Sequence, residues 1–513
     1  MHERRFSFRS TFLVVGFLLA TNASAQPPTS SARFEVNLDD LRPLSQDLHG
    51  ANNEYFYPPV WFDHPAYSEK YLAAGRPFFR YPGGTGSNFY NPFTGLFDND
   101  SPSTRDYTGL NRRIAQRNGG TGRVPADFFE FVREHDIRYS LVLNVCTQTF
   151  EQNRAWLEQI ADQGHPVTMI EIGNEVFYGS YKWAFASGDE YVTRAKKLTA
   201  VIRELMPDTK VGVVIPNQLY QYDAFFSEDI PDWFQHPYSW ITALQDQTFY
   251  DAVVIHLYSP NGMSNDVEPA DFISHLDAYT NCDAHLTAFF DRTFDEIETK
   301  FPGKRIWITE YGVGGFGGNL KQYTLRYSHL GVLHADVMLL RFINRPSVSM
   351  TQWHSFQHFW DFVGGEKGIG DEEHLPYKHF ALFRDAIRNS QAVADVKGSA
   401  MGSDSAIADA IESAALIGEE TAYVILINRS GQEHIIENPT FVRSGEVVDS
   451  DLTEAVQLSH RSDMPLRDAM QNTERSDYVE RTTSQLRPIH LPSYSITRLK
   501  LTFANNQEVA GAP

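Results

Sequence analysis

Short apolar segments alternate with amphipathic helical segments from about residue 46 to residue 390, and this alternation constrains the fold more than any other feature. The apolar segments are, in chain order, LHGAN, RPFFRYPGG, IRYSLVLNVC, VTMIEIGNEV, KVGVVIP, YDAVVIHLYSP, RIWITEYGV and SVSMTQWHSFQ. Each has the length of a strand and ends in turn-forming residues. The helical segments are ADFFEFVREH, NRAWLEQIADQ, EYVTRAKKLTAVIRELM, DAHLTAFFDRTFDEIETKF and LRYSHLGVLHADVMLLRFI. Eight strands that alternate with helices over roughly 340 residues predict a parallel (β/α)8 TIM barrel with insertions rather than an open doubly wound sheet.

The pattern changes after about residue 396. The segments AIESAALIGEETAYVILINRSGQEHIIE and HLPSYSITRLKLTF alternate in polarity, and Arg429-Ser430-Gly431 is a hairpin-turn signal. They predict a C-terminal antiparallel β-sandwich, to which ARFEVNLDD, near the N-terminus, is expected to add a strand. The polar stretch 459–485 is expected to be a long loop.

The first residues have the pattern of a signal peptide. A basic stretch, MHERRFSFR, precedes STFLVVGFLLA, which is too short to span a bilayer, and Ala23-Ser24-Ala25 forms an A-x-A cleavage site. We therefore expect cleavage after Ala25 and a periplasmic or secreted protein. The predicted domains are a signal peptide (1–25), an N-terminal segment (26–45), a catalytic barrel (46–395), a β-sandwich (396–504) and a tail (505–513).

Charge and cysteine content narrow the classes of partner and of structural site. The formal net charge of the 513-residue chain is −21, which argues against nucleic acid or an anionic membrane as a partner. The two cysteines, Cys146 and Cys282, could pair in an oxidising compartment, but the apolar segment before Cys146 favours two free, buried thiols. Two cysteines without a C-x-x-C motif do not make a structural zinc site. The oligomeric state stays open.

Two glutamates end apolar strands in similar settings. Glu175 lies in MIEIGNEVFYG on the fourth predicted strand, and Glu310 lies in RIWITEYGVGG on the seventh. These strands stand on opposite sides of an eight-stranded barrel, and their C-terminal ends face the same mouth, where barrel enzymes carry out their chemistry. Two carboxylates that face each other across this mouth suit the cleavage of a glycosidic bond. A strand terminus with one solvated carboxylate is the simpler alternative for either motif alone.

The two motifs, Gly173-Asn174-Glu175 and Thr309-Glu310, resemble the paired motifs of the clan-A glycoside hydrolases, which are retaining (β/α)8 enzymes. The stretch FFRYPGGTGSNFY (78–90) resembles the second strand of the arabinofuranosidase-like and β-glucuronidase/heparanase-like groups, and LHGANNEY resembles their first strand. The resemblance implies that Glu175 is the acid/base and Glu310 the nucleophile. Thr85-Gly86-Ser87, after the glycine pair, departs from the arabinofuranosidase pattern and argues against a furanoside substrate.

The resemblance also implies a set of substrate-binding residues. Asn174 is expected to donate to the sugar 2-hydroxyl, and Arg80 to keep the nucleophile ionised; a salt bridge at the barrel rim is the alternative for Arg80. His256 and Tyr258 are expected beside the nucleophile and Trp353 beneath the sugar, with core packing as the alternative for all three. Glu54 is expected to contact the sugar. No metal and no cofactor are predicted.

Two rival functions and two decoy motifs accompany this prediction. GVGGFG (312–317), with Asp336 further along, matches a dinucleotide-binding fingerprint and suggests an NAD-dependent oxidoreductase, but Asp336 falls within a predicted helix. A carbohydrate-binding protein on an inactive barrel is the non-enzymatic alternative, against which the presence of both carboxylates argues. His354 and His358 lack the H-E-x-x-H context of a zinc site, and DNDSPSTRD resembles a calcium loop only in being acidic.

Overall fold

The computed structural model describes residues 31–52, 65–103, 105–163, 167–216, 232–259, 275–313, 328–354, 363–364, 372–373, 375–401, 410–460, 478–483 and 488–504. The predicted signal peptide (1–25) and tail (505–513) lie outside these residues. So do Glu54, Gly314 to Gly317 and His358.

The strands, which form a barrel, a separate sheet and two small hairpins, are β1 (Ser31–Pro43), β2 (Gly50–Asn52), β3 (Phe78–Tyr81), β4 (Tyr90–Asn91), β5 (Leu96–Phe97), β6 (Tyr139–Leu143), β7 (Met169–Ile172), β8 (Lys210–Val214), β9 (Ala252–Ser259), β10 (Arg305–Val313), β11 (Val348–Trp353), β12 (Val363–Gly364), β13 (Glu372–Glu373), β14 (Ala392–Met401), β15 (Ile411–Ile417), β16 (Thr421–Asn428), β17 (His434–Ile436), β18 (Thr440–Arg443), β19 (Glu446–Val448), β20 (Ser450–His460), β21 (Tyr478–Thr483), β22 (Ile489–Leu491) and β23 (Ser495–Phe503). The α-helices are α1 (Pro65–Ala73), α2 (Thr108–Arg117), α3 (Ala126–Glu134), α4 (Phe150–Asp162), α5 (Gly188–Leu205), α6 (Asp232–Leu244), α7 (His275–Lys300), α8 (His329–Ile343) and α9 (Leu375–Arg388).

Eight parallel strands close into a barrel in the order β2-β3-β6-β7-β8-β9-β10-β11, and β11 pairs with β2 to complete it. Each of the eight predicted segments supplies one of these strands. All eight residues of β9, AVVIHLYS, are buried, because the barrel interior covers one face of the strand and the surrounding helices cover the other. The predicted (β/α)8 fold is confirmed.

The C-terminal part forms a separate, mainly antiparallel sheet, and the predicted β-sandwich is confirmed. β1 lies between β14 and β18, so a strand from the start of the chain completes this sheet. A second apolar core, which includes Phe34, Val424 and Leu499, fills the domain. Part of the stretch expected as a loop is a strand, since β21 pairs with β20 over six positions.

Polar contacts join the barrel to the sandwich. The Arg429 guanidinium lies 2.8 Å from the Asp283 carboxylate on α7, and His329 Nε2 of α8 donates to the carbonyl of Tyr494 at 2.7 Å. Cys146 and Cys282 are both buried and free. Among the described helices, none combines the length and the apolar character needed to cross a bilayer.

Candidate active site

The C-terminal ends of the barrel strands bring polar side chains together at one mouth. Asn52 ends β2, Arg80 lies in β3, and Glu310 lies in β10. His256 and Tyr258 lie two residues apart on β9, so they point to the same side of the strand. Side chains from four different strands therefore meet in one site.

The turn after β7 aims Glu175 into this site. Gly173 has φ +85°, and a Cβ added to it would come within 2.8 Å of Val145 Cγ2, so this position requires glycine. Glu175 itself has φ +51°, in the left-handed region that non-glycine residues rarely adopt. Backbone strain of this kind is concentrated at functional sites, where the surrounding structure holds it in place.

Arg80 is the centre of the buried polar network, and its side chain is fully buried. Its Nε donates to Glu171 Oε1 and its Nη2 to Glu171 Oε2, each at 3.0 Å, which is a two-pronged ion pair. The Nη1 group donates to Glu310 Oε1 at 2.7 Å and to Asn52 Oδ1 at 3.2 Å. Nη2 also donates to Asn174 Oδ1 at 2.8 Å. One guanidinium therefore connects β2, β3, β7, β10 and the turn that carries Glu175.

Glu310 is surrounded by groups that stabilise its charge. Tyr258 donates its hydroxyl to Glu310 Oε2 at 2.7 Å, and Arg80 occupies the other carboxylate oxygen. Burial acts to raise the pKa of Glu310, since a buried carboxylate loses its hydration. The nearby imidazoles of His256 and His354 act in the opposite direction, as do Arg80 and the Tyr258 hydroxyl. These groups outweigh burial, and the pKa of Glu310 lies well below its ordinary value.

His256 lies between the two predicted catalytic carboxylates. Its Nδ1 is 2.8 Å from Glu175 Oε1 and 3.4 Å from Glu310 Oε2. Burial acts to lower the pKa of His256, but the negative charges of Glu310 and then Glu175 outweigh it and raise this pKa. One oxygen of each carboxylate and one imidazole nitrogen all lie within 4.8 Å of one another.

This cluster of Glu175, His256 and Glu310 is close enough to hold one cation. The Arg80 guanidinium, however, already supplies a positive charge 2.7 Å from Glu310. An additional cation would therefore share Glu310 with a guanidinium that already binds one of its oxygens.

The remaining predicted site residues are less directly involved. The Nδ2 donor of Asn174 is buried and has no hydrogen-bond partner among the residues that the structure describes. Trp353 is 4% exposed and packs edge-on against Tyr311 at 5.4 Å, so it forms part of the barrel core, and its role beneath a sugar stays a prediction. The predicted contact of Glu54 lies outside the described residues.

The structure also assigns contacts to residues that the sequence motifs did not single out. Glu171 is the single charged residue of the buried strand MIEI, and a lone charge in such a strand indicates a polar contact inside the barrel. Asn52 donates to the carbonyl of Thr309 at 2.5 Å, and Asn88 binds the main chain of Asn174. His354, weighed above only as a zinc ligand, has its Nε2 3.8 Å from Glu310 Oε2.

The dinucleotide-binding alternative finds no support in the described part of its motif. Asp336 lies in the middle of α8, where His379 Nδ1 is 2.5 Å from its carboxylate, and burial raises its pKa well above the ordinary value. A ribose-binding carboxylate would end a strand of an open sheet, and here the sheet is a closed barrel.

No protein-family model and no curated protein matches the sequence. Solved structures do match. The thermostable GH51 α-L-arabinofuranosidase of Thermotoga petrophila RKU-1 has a TM-score of 0.62 at 16% identity, over 91% of this chain and 99% of that chain. The GH51 arabinofuranosidase of Xanthomonas axonopodis pv. citri has a TM-score of 0.62 at 15% identity, over 92% and 100%. A GH44 xyloglucanase of Paenibacillus polymyxa, solved with xyloglucan, has a TM-score of 0.59 at 12% identity, over 92% and 100%. At these identities the matches show a shared fold, and the predicted resemblance is confirmed at that level.

Proposed function

We propose that this protein is an exported retaining glycoside hydrolase that cleaves O-glycosidic bonds of a plant or algal poly- or oligosaccharide. The observation that carries the proposal is the placement of Glu175 and Glu310 at the barrel mouth, with one oxygen of each within 4.8 Å of the other. Retaining glycosidases hold their two carboxyl groups about 5–5.5 Å apart, whereas inverting enzymes leave about 6.5–9.5 Å for a water.

In the first step Glu310 attacks the anomeric carbon while Glu175 gives its proton to the leaving oxygen. The glycosidic bond breaks and an ester between the sugar and Glu310 forms. In the second step Glu175 takes a proton from a water that attacks the anomeric carbon. The ester then breaks, which releases the sugar and restores both side chains.

The surrounding residues support these roles. Arg80 and Tyr258 each donate to one oxygen of Glu310, which keeps the nucleophile ionised. The buried Nδ2 of Asn174 is a donor suited to the sugar 2-hydroxyl, a bond that strengthens in the transition state. A carbohydrate-binding protein on an inactive barrel would have no need of a carboxylate whose pKa is held low by a guanidinium, two imidazoles and a hydroxyl.

The substrate class and the export of the protein are each proposed from a separate observation. The structural neighbours include arabinofuranosidases and a xyloglucanase solved with xyloglucan, which supports a carbohydrate of the plant cell wall. The N-terminal pattern supports export, since a basic stretch, an apolar stretch and Ala23-Ser24-Ala25 follow one another.

The test is a screen of aryl glycosides and plant or algal polysaccharides, followed by proton NMR of the first product. A retaining enzyme gives the substrate's own anomeric configuration first. A first product of inverted configuration would refute the double displacement. Binding of the carbohydrate without any turnover would favour the inactive-barrel alternative.

Variants then separate the two carboxylates on dinitrophenyl glycosides. Glu175→Ala is expected to form the glycosyl-enzyme and to release, with azide, a glycosyl azide of retained configuration. Glu310→Ala is expected to be inactive alone, and any azide product it forms should be inverted. Glu158→Ala, at a side chain that is 47% exposed on α4, serves as the control and should keep full activity. The opposite pairing of variants and azide anomers would reverse the two assignments.

A further inference from the structure

The side chain of Asn88 binds the main chain directly before Glu175. Asn88 is fully buried at the end of a 3-10 turn, Thr85–Asn88, which follows β3. Its Nδ2 donates to the carbonyl of Asn174 at 2.6 Å, and its Oδ1 accepts from the amide of Asn174 at 3.0 Å. Both main-chain polar groups of Asn174 are therefore bound by one side-chain amide, 86 positions earlier in the chain.

The residue that Asn88 binds lies between two residues of positive φ. β7 ends at Ile172, and the next three residues include two with positive φ, Gly173 at +85° and Glu175 at +51°. The residue between them, Asn174, is fully buried, so its amide and carbonyl must find partners inside the protein. The Asn88 amide supplies a donor and an acceptor side by side, as a neighbouring strand would.

The position of Asn88 is itself fixed locally. Gly84 has φ +62°, which starts the 3-10 turn, and Ser87 closes the turn by donating its hydroxyl to the carbonyl of Gly84 at 2.7 Å. The sequence GGTGSN after β3 thus brings one side-chain amide to the turn after β7. Its two hydrogen bonds there hold the main chain of Asn174, directly before the acid/base.

We infer that Asn88 is a positioning residue for the acid/base: it fixes the direction of the Glu175 carboxylate by holding the main chain of Asn174. The inference rests on the proposed function, because it assigns Asn88 a part in proton transfer to the leaving group. It does not place Asn88 in contact with the sugar.

If the acid/base is displaced, kcat/KM should fall most for substrates whose leaving group needs a proton. General acid catalysis contributes about 100- to 10,000-fold, so Asn88→Ala should lower kcat/KM by about 100-fold for alkyl glycosides, whose leaving groups are poor. For dinitrophenyl glycosides, whose leaving group needs no proton, kcat/KM should fall less than about 3-fold. For those substrates kcat should still fall, since Glu175 also activates the water, and azide should restore it.

Two further variants accompany Asn88→Ala. Asn88→Leu keeps most of the side-chain volume but removes both the donor and the acceptor, and it should show the same dependence on the leaving group. Asn428→Ala is the matched control, because it removes a fully buried side-chain amide that binds main-chain carbonyls in the sandwich. It should lower kcat/KM equally for all leaving groups, if at all. Circular dichroism and thermal midpoints identify the variants that fold, and Asn88→Leu carries the test if Asn88→Ala does not.

The possible results distinguish a failure of this inference from a failure of the proposed function. Active wild type, together with a uniform fall in kcat/KM across all leaving groups in the folded Asn88 variants, overturns this inference alone. A rise in KM for every substrate at constant kcat also overturns it, since that result would mark a residue that binds the sugar. A wild-type protein that turns over no glycoside overturns the proposed function, and the inference falls with it.

Discussion

Replacement of Arg80 by methionine offers the strongest test of the buried network. The Arg80 side chain is fully buried, that of Glu171 is fully buried, and that of Glu310 is 7% exposed. Arg80→Met removes the charge that the two carboxylates share while it keeps most of the side-chain volume. Loss of one member of a buried ion pair costs about 3–5 kcal/mol, because the remaining charge stays buried and uncompensated. We expect the free energy of unfolding to fall by about this amount at neutral pH.

The loss of unfolding free energy in Arg80→Met should depend on pH, because it depends on the ionisation of the carboxylates. In the wild type the pKa of Glu310 lies below its ordinary value, so ionised Glu310 contributes stability that is present above the ordinary pKa and lost as the pH falls. In Arg80→Met the opposite holds: buried carboxylates without a cation have raised pKa values and take up protons at mildly acidic pH. The difference between wild type and variant should therefore be largest at about pH 8 and clearly smaller at about pH 5.

The measurement is guanidinium-induced unfolding, followed by tryptophan fluorescence at both pH values. Arg154→Met is the control, because that side chain is 39% exposed and pairs with Glu158 and Glu204 on the surface. It should cost less than about 1 kcal/mol at either pH. A loss below about 1 kcal/mol in Arg80→Met would refute the network as a stabilising unit. An equal loss at both pH values would refute the role assigned to carboxylate charge.

Two further predictions concern Glu310. Tyr258→Phe removes a hydrogen bond to a charged oxygen, worth about 1.5–3 kcal/mol, so kcat/KM should fall by about 10- to 100-fold. The acidic limb of its pH profile should move upward, because the pKa of Glu310 rises; Tyr250→Phe, whose hydroxyl instead donates to the carbonyl of Leu244, should change neither quantity. Activity should also survive EDTA, because two carboxylates suffice for the double displacement and a guanidinium already binds Glu310. Inactivation by the chelator that one specific metal reverses would instead make the Glu175, His256 and Glu310 cluster a metal site.

The barrel could be predicted from the sequence because its strands show two features, an apolar run and a turn residue after it. Burial on both faces makes most of these strands apolar over much of their length, as in the AVVI that begins β9, and turn residues follow them. Four of the helices within the described residues were not predicted. α2, TGLNRRIAQR, buries only Leu110 and Ile114, which is too few apolar positions to show a helical period. α6 contains Pro237, a residue that normally indicates a helix end.

The site could be predicted only where its residues belong to recognisable strand ends. Glu175 and Glu310 each follow an apolar run, so their positions at the barrel mouth follow from the fold. Glu171 precedes Glu175 by four residues in the same run, but its partner Arg80 lies 91 positions away. Nothing in either local pattern indicates that the two side chains meet. Asn88 was missed for the same reason, since its ligand is a main-chain peptide, which leaves no trace in the sequence.

The different roles proposed for the two glutamates rest on their neighbours rather than on their own chemistry. Both oxygens of Glu310 are bound, one by Arg80 and one by Tyr258, and its side chain is nearly buried. The Glu175 side chain is 22% exposed, and its Oε1 lies beside His256, a group that can either give or accept a proton. A carboxylate held by a fixed cation, as Glu310 is, is suited to remain ionised through the reaction. The Glu175 side chain is partly exposed, as a group that exchanges protons with substrate and water must be. Two identical side chains in such different surroundings are what the proposed acid/base and nucleophile require.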